Sequence, residues 1–234
     1  MINFSGISDS SFLGRALRLP LRLIPDAAVL RVVQGPLRGK RWIAGSFNHG
    51  CWLGSYELAK QRKVIELVRA GMVCWDVGAH VGFYTLLFAE LVGPQGKVFA
   101  FEPLPRNVDL LRRHVEMNGY RNVRTLPCAL ADFDGEASFD PGPNPSMGRI
   151  APSGPLRVPC ARADTLVARG EVEAPDVIKI DVEGAEAAVL RGARRAMERH
   201  PAILLATHGE QAHGECLGLL AAAGYEMGGL VRVN

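Results

Sequence analysis

The sequence predicts an α/β fold, a doubly wound and mostly parallel sheet with helices on both faces. From about residue 70 onward, short apolar runs alternate with stretches of helical periodicity. That alternation is typical of consecutive βαβ units. The chain has 234 residues, of which 48% are hydrophobic, so it can bury one sizeable core. One main domain is therefore expected.

The predicted elements follow one another with short connections. The predicted strands are "MVCWDV", "KVFAFE", "VRTLPCAL", "RVPCA", "DVIKID" and "AILLATH", and the tail "YEMGGLVRVN" is predicted as a last strand or hairpin. The predicted helices cover about residues 82–92, 105–117, 185–199 and 211–223. Residues 135–155 are rich in Gly and Pro without periodicity, which predicts a loop insertion.

Composition excludes several classes of protein. The net charge of +3 is small and the basic residues are scattered, which does not favour nucleic-acid binding. No apolar run reaches the roughly 20 residues that a membrane span needs. The arginine- and leucine-containing residues 10–33 are interrupted by Pro20 and Pro25, and a helix covering the core explains them better than stable membrane insertion.

The five cysteines are odd in number and lack metal-knuckle spacing, so neither a zinc site nor a disulfide framework is expected. Cys74 and Cys128 lie in apolar runs, where small buried thiols are common. A cytoplasmic protein is the expectation that fits best.

Acidic residues and a histidine stand at the ends of the predicted strands. Asp76, Glu102, Asp181 and His208 each follow an apolar run, and residues 129–132 end another. Open parallel sheets bind ligands outside the carboxyl ends of their strands, where the strand order reverses. These side chains are therefore expected to share one site.

The turn "DVGAHVG" favours one cofactor over another. Dinucleotide folds use Gly-x-Gly-x-x-Gly, but His80 occupies the middle position, where a side chain would crowd a pyrophosphate. S-adenosylmethionine has no phosphate and carries an ammonium and a sulfonium, so it suits a turn led by Asp76 better than NAD does. Glu102 can accept both hydroxyls of a ribose. Two readings without a ligand stay open: a tight turn at Gly78 and Gly82, and a helix cap at Glu102.

Several motifs in order resemble the FkbM family of S-adenosylmethionine-dependent methyltransferases. They are "WLGSYE" at 52–57, "DVGAHVGFYT" at 76–85, "FEPLPRNVDLL" at 101–111, "ALADFDG" at 129–135 and "IKIDVEGAEAAVLRG" at 178–192. The resemblance implies a class I, Rossmann-like sheet of seven strands. It also implies O-methylation of a hydroxyl on a sugar, a glycolipid or a natural product.

The resemblance also implies the site residues. Those expected to border the cofactor are Asp76, Gly78, Ala79, His80, Gly82, Glu102, Asn107, Ala129, Leu130, Asp132, Tyr56 and Glu57. The chain departs from the family pattern at His80, where Asn is usual. It departs again at Ala206, where the last apolar strand often carries Glu two residues before His208.

A hydroxyl is a weak nucleophile, so a base is expected near it. His208 is the first candidate, and Asp181 would orient the hydroxyl or take its proton. Both also have structural explanations, as a hydrogen-bonded strand end and as a helix N-cap. A minority hypothesis is an oxygen-rich site for a divalent metal at Asp181, Glu183, His208 and Glu210.

The expected partner is a small-molecule hydroxyl acceptor, and a homodimer is possible. Residues 1–55 are expected to form a helical or extended segment over the core or the acceptor site, and 56–234 the cofactor-binding domain. Two alternative functions remain: a methyltransferase-like binding protein without activity, and an NAD-dependent oxidoreductase.

Overall fold

The computed structural model describes residues 20–142, 148–151 and 153–228. Its strands are β1 (Val29–Arg31), β2 (Arg41–Ile43), β3 (Val73–Val77), β4 (Lys97–Phe101), β5 (Val123–Leu126), β6 (Ala129–Leu130), β7 (Gly135–Asp140), β8 (Arg149–Ile150), β9 (Leu156–Ala161), β10 (Val177–Ile180) and β11 (Ala202–Leu205). Its α-helices are α1 (Gly50–Leu53), α2 (Leu58–Leu67), α3 (Phe83–Val92), α4 (Pro105–Met117), α5 (Ala163–Ala168), α6 (Glu186–Gly192) and α7 (Glu210–Ala222). Short 3₁₀ helices cover Pro20–Leu23, Ala44–Ser46 and Ala196–Arg199.

The central sheet has the order β11-β10-β3-β4-β5, and all its strands are parallel. The chain runs outward from β3 through β4 to β5, and later returns to place β10 on the other side of β3. The strand order therefore reverses between β3 and β10, which puts the expected ligand crevice at that point. The register sets Lys179 of β10 directly beside Asp76 of β3.

The α/β architecture and the parallel central sheet are as predicted, but the sheet has five strands in the described part of the chain rather than seven. The predicted last strand or hairpin begins at Tyr225. Residues 225–228 have no regular structure, and residues 229–234 lie outside the described part. The predicted helix in residues 10–33 also falls partly outside it.

A second, four-stranded sheet has the order β6-β9-β7-β8, and two of its strands, β7 and β8, lie within residues 135–155, the region predicted as a loop insertion. In β7, Ala137 and Phe139 are buried whereas Glu136 is exposed, which is the alternation of a half-buried strand. The difference from the prediction arises because this alternation spans only a few residues between Gly- and Pro-rich neighbours.

Two apolar layers cover the central sheet. Successive side chains of a strand point to opposite faces. Accordingly Trp75 and Val77 pack in one cluster with α5, α6 and α7, whereas Cys74 packs in the other with α3 and the N-terminal hairpin. Trp75 and Phe88 are fully buried, one in each layer.

The β1–β2 hairpin is attached to α4. The ring of Trp42 stacks on His114 with centroids 4.0 Å apart, and the backbone N–H of Ile43 donates to His114 Nε2 at 3.1 Å. His114 Nδ1 lies 2.8 Å from the carbonyl oxygen of Val81. This one side chain therefore links the N-terminal segment to the turn that follows β3.

None of the helices in the described ranges has the length and apolar character that a membrane span requires. All five cysteines are free thiols, and four of them are buried.

Candidate functional site

The turn after β3 is held close to two neighbouring strands. The backbone N–H groups of Gly78 and Ala79 both donate to the carbonyl oxygen of Phe101, each at 3.0 Å. Gly78 has φ +74°, and a Cβ on it would lie 2.0 Å from the carbonyl oxygen of Asp181. Only glycine fits there without moving the end of β10.

His80 stands in this turn with φ +51°. Its N–H donates to Glu102 Oε2 at 2.9 Å, and its ring meets Phe47 edge-on with centroids 4.7 Å apart. Burial lowers the pKa of His80 to about 4, and the positive charges of Lys179 and Arg106 act in the same direction. The ring is therefore neutral at pH 7.

Glu102 ends β4 and is 5% exposed. Its Oε1 accepts hydrogen bonds from the N–H of Leu104 at 3.0 Å and from Nδ2 of Asn107 at 3.2 Å. Burial raises the pKa of Glu102, although the three hydrogen bonds that it accepts oppose the shift. The carboxylate is thus fixed in orientation at the strand end.

Two adjoining cavities lie at the carboxyl ends of the strands, and the larger also extends along the outer edge of β11 to His200 and Tyr225; together we call them the strand-end cleft. The larger has a volume of about 1250 Å³ and the smaller about 80 Å³. Gly78, His80, Asp181 and Glu183 line both. The other predicted residues divide between them: Tyr56, Glu57, Ala79 and His208 line the larger, and Glu102, Asn107, Ala129 and Leu130 the smaller.

Asp76 lies behind the turn and lines neither cavity. It is fully buried, with Oδ1 2.9 Å from Nζ of Lys179, and Thr85 Oγ1 donates to Oδ2 at 2.6 Å. Lys179 Nζ also donates to the carbonyl oxygen of Gly78 at 3.2 Å. Asp76 therefore reaches the glycine turn through Lys179.

Two further predicted residues lie away from the cleft surface. A Cβ on Gly82, which has φ +95°, would meet Leu111 at 3.1 Å, so this glycine packs the start of α3 against α4. Asp132 is exposed, and its Oδ2 lies 2.8 Å from Nε of Arg191. Both roles in cofactor binding stay predictions.

A network of charged groups crosses the larger cavity. Lys60 Nζ lies 2.8 Å from Glu57 Oε1 and 2.9 Å from Asp181 Oδ2. The hydroxyl of Tyr84 donates to Glu57 Oε2 at 2.9 Å. Burial opposes ionisation of Asp181, but the charges of Lys179 and Lys60 outweigh it and hold the pKa of Asp181 below its ordinary value. Asp181 is therefore ionised at neutral pH.

His208 faces three carboxylates. Its Nδ1 is 2.7 Å from Glu186 Oε1, and its Nε2 is 3.5 Å from Glu183 Oε2 and 4.0 Å from Asp181 Oδ1. The hydrogen bond to Glu186 is the largest cause that raises the pKa of His208, and burial opposes it. The structure thus brings together His208 and Asp181, the two residues predicted as catalytic.

The four residues of the metal hypothesis do not form one cluster. Glu210 begins α7 and lines neither cavity, whereas the other three lie together. Among the described residues, no group of three or more His, Cys, Asp or Glu side chains is arranged to hold a metal ion.

Sequence reasoning missed Lys60, Lys179 and Thr85, and it gave Glu186 no role. A signal existed for Lys179, because a lysine inside the buried run "DVIKID" requires an acidic partner. No signal existed for Lys60, which depends on how α2 folds back across the strand ends.

A sequence model of the family described as "Methyltransferase FkbM domain" matches residues 76–227 of this chain. The matched residues include the glycine turn, Glu102, Asp181 and His208. Hexuronic acid methyltransferase AglP from Haloferax volcanii is 32% identical over 149 residues, which are 63% of this chain and 60% of AglP. The chain thus matches less than two thirds of that relative's length. The 2-O-methyltransferase NoeI from Sinorhizobium fredii is 24% identical over 174 residues, covering 65% of this chain and 70% of NoeI.

A crystal structure of a methyltransferase FkbM from Methylobacillus flagellatus is 18% identical, with a TM-score of 0.49, over 75% of this chain and 49% of that one. The family match extends over most of the described chain and includes every residue that lines the smaller cavity, together with the part of the larger cavity formed by residues 78–227. The chain therefore belongs to the FkbM methyltransferase family.

Proposed function

We propose that this protein uses S-adenosylmethionine to methylate a hydroxyl oxygen on a sugar, a glycolipid or a natural product. The observation that carries the proposal is the strand-end cleft, which joins the Gly78 turn and Glu102 to Asp181 and His208 at the reversal of strand order. One cleft therefore offers a place for the donor beside a base for the acceptor.

The residues present fit the donor. Gly78 lines both cavities and presents only backbone to them, and it packs closely against the carbonyl oxygen of Asp181 on its other side. Glu102 presents a fixed carboxylate to a ribose, and the carboxylates of Glu57 and Asp181 line the larger cavity where a methionyl ammonium would lie. This arrangement supports a donor site of the expected class I type, in which the roles of Asp76, Gly82 and Asp132 stay predictions.

When bound, S-adenosylmethionine would supply a methyl group on a positive sulfonium: the acceptor oxygen would bond to the methyl carbon in line with the breaking carbon–sulfur bond, and S-adenosylhomocysteine would be the leaving group. Such a reaction depends mainly on alignment, together with a base that removes the hydroxyl proton. His208 Nε2 would accept that proton, and ionised Asp181 would orient the hydroxyl beside it. Ala206 also lines the larger cavity and leaves room where related chains often carry Glu.

The relatives support a sugar acceptor. AglP is named a hexuronic acid methyltransferase and NoeI a 2-O-methyltransferase. We extend from them only the class of acceptor, a sugar or a similar polyol.

The first test is calorimetric titration with S-adenosylmethionine and S-adenosylhomocysteine. We expect micromolar binding by the wild type and a loss of at least about tenfold in Glu102→Ala, because one lost hydrogen-bonded ribose contact costs about 1.4 kcal/mol or more. Glu198→Ala is the matched control, since Glu198 is exposed and lines neither cavity.

The same titration separates the alternatives. A folded wild type that binds neither compound contradicts the donor assignment. Binding of NAD instead would favour the oxidoreductase. Binding of the donor without methyl transfer to any hydroxyl in a panel of sugars and glycolipids would favour an inactive binding protein.

A further inference from the structure

The carboxylate of Glu186 lies in the interior of the protein. It is fully buried, although glutamates rarely are unless they are paired. Its Oε1 accepts a hydrogen bond from the N–H of Gly184 at 3.2 Å and lies 2.7 Å from His208 Nδ1. Its Oε2 has no hydrogen-bond partner among the described residues.

We propose that Glu186 is a positioning residue that holds His208 in the tautomer with its proton on Nδ1, leaving Nε2 free to take the acceptor's proton. This inference rests on the proposed function for the role of Nε2. The placement of the proton on Nδ1 rests on the 2.7 Å contact with Glu186 and on Glu186 being a carboxylate, and it does not depend on the proposed function.

The direction of the hydrogen bond fixes the tautomer. An ionised carboxylate can only accept, so Nδ1 must be the donor. A neutral imidazole that donates from Nδ1 is an acceptor at Nε2. The other ring nitrogen is therefore the one available as a base.

The groups around Nε2 leave it available. Glu183 at 3.5 Å and Asp181 at 4.0 Å are farther than an ordinary hydrogen bond, and Asp181 is already bonded to Lys60. Neither carboxylate can donate a proton to Nε2 while ionised. The nitrogen faces the larger cavity, which His208 lines.

A purely structural role for Glu186 is separable from the positioning role. If Glu186 served only to bind the N–H of Gly184, glutamine would replace it, because an amide oxygen accepts that bond equally. Glutamine cannot hold the tautomer, because its amide nitrogen can donate to Nδ1 after a flip of the side chain.

The deciding measurement is ¹⁵N NMR of the wild type with labelled histidine, at a pH where His208 is neutral, with its signals assigned by their loss in His208→Gln. We expect a protonated Nδ1 and an unprotonated Nε2. The reverse tautomer, or an even mixture, would overturn the proposal. This readout needs no donor, no acceptor and no turnover, so it stands even if the proposed function fails.

The variant test uses Glu186→Gln, with Glu198→Gln as the control. We expect Glu186→Gln to lose the fixed tautomer and to lower kcat about 10²-fold, because a positioned base contributes roughly 10² to 10⁴. The Kd for S-adenosylhomocysteine should stay within about twofold of wild type, since Glu186 lines neither cavity.

The positioning role would be contradicted if Glu186→Gln folds, shows a mixture of His208 tautomers and still has the kcat of the wild type. If the variant does not fold, the wild-type tautomer still decides the proposal.

Discussion

Lys179 carries its charge into the middle of a parallel sheet, where its side chain is 4% exposed. Asp76 stands beside it on the neighbouring strand, also buried, and Asp76 and Asp181 together hold the pKa of Lys179 above its ordinary value although burial opposes this. The pair ties β3 to β10 beneath the glycine turn; Lys179 lines the larger cavity, whereas Asp76 lies behind it.

Removal of one partner of this buried pair should be costly. We expect Lys179→Met to lower the free energy of unfolding by about 3–5 kcal/mol, since it leaves an uncompensated carboxylate in the interior. Lys97→Met is the matched control, because the Lys97–Glu173 pair is half exposed and should contribute about 1 kcal/mol or less. Urea denaturation of both variants tests this, and equal losses would contradict it.

His114 makes stability depend on pH. Burial lowers its pKa from 6.5 to about 4, and protonation would remove the acceptor that Ile43 uses. Between these pH values His114 is protonated in the unfolded chain but not in the folded protein. The free energy of unfolding therefore falls as the pH drops from 6.5 towards 4. His114 alone should account for roughly 3 kcal/mol of that fall.

The measurement is the urea midpoint from pH 7.5 to 4. His114→Phe should show a flatter pH dependence than the wild type, because its contribution is gone and that of His80 remains. His200→Phe, at an exposed site, should follow the wild-type curve. If the urea midpoint of His114→Phe depends on pH as steeply as that of the wild type, a group other than His114 causes the pH dependence.

At the level of single residues, the sequence predicted those whose position follows from a strand end: Glu102, Asp181 and His208 all line the cleft. Asp132 pairs with Arg191 and lines neither cavity, and its role in cofactor binding stays a prediction. Lys60 reaches Asp181 across 121 positions of sequence, a contact that no local pattern encodes.

Among the elements, α6 packs against the end of β6 at a glycine. A Cβ on Gly192 would lie 1.9 Å from the carbonyl oxygen of Ala131, so the helix can approach only because this residue has no side chain. The absence of a side chain at Gly192 therefore allows α6, which begins with the buried Glu186, to lie close to β6.

Two glycine-to-alanine changes in helices should have opposite effects. Gly192→Ala must push α6 away from Ala131, and we expect a loss of about 1–3 kcal/mol by analogy with overpacking. Gly218→Ala lies in α7 with nothing within 4 Å of the added Cβ, so it should gain about 0.5–1 kcal/mol from helix propensity. Thermal and urea unfolding test the signs, and two losses of equal size would contradict the packing argument.

Helix boundaries were predictable where the sequence carries a strong helix start or stop signal. Helix α4 begins at Pro105, a residue favoured in the first helical turn, and it ends within a residue of the prediction. In the small sheet, β9 was predicted as the strand "RVPCA" and β6 as the end of "VRTLPCAL", but β7 and β8 were not, since β8 has two residues and β7 pairs mainly with β9, which begins 16 positions after β7 ends. Pairing of that kind depends on tertiary packing rather than on local pattern.

On the scale of the whole molecule, the charge of the cleft differs from that of the chain. The chain has a net charge of +3. Among the described residues that line the cleft, carboxylates outnumber lysines and arginines: Glu57, Glu66, Glu102, Asp181, Glu183 and Glu226 against Lys60, Lys63, Arg149 and Lys179. A cation is therefore attracted to the cleft of a protein that is basic overall.

This excess should distinguish two ligands of the same shape. S-adenosylmethionine carries a positive sulfonium that S-adenosylhomocysteine lacks, so added salt should weaken binding of the first more than of the second. Titrations at 50 mM and 500 mM NaCl, with both ligands, measure the difference. Equal salt dependence would show that the surplus carboxylates do not act on the sulfur.

The contact between Gly78 and the carbonyl oxygen of Asp181 has a consequence for how related proteins can diverge. Because the two strand ends touch, neither can be displaced to admit a different acceptor without disturbing the donor turn. New acceptor preferences must then arise on the rim of the larger cavity, at residues such as Ala206 and Leu217, which border it from the end of β11 and from α7. Exchange of rim residues should therefore alter which alcohol is methylated and leave the affinity for the donor intact.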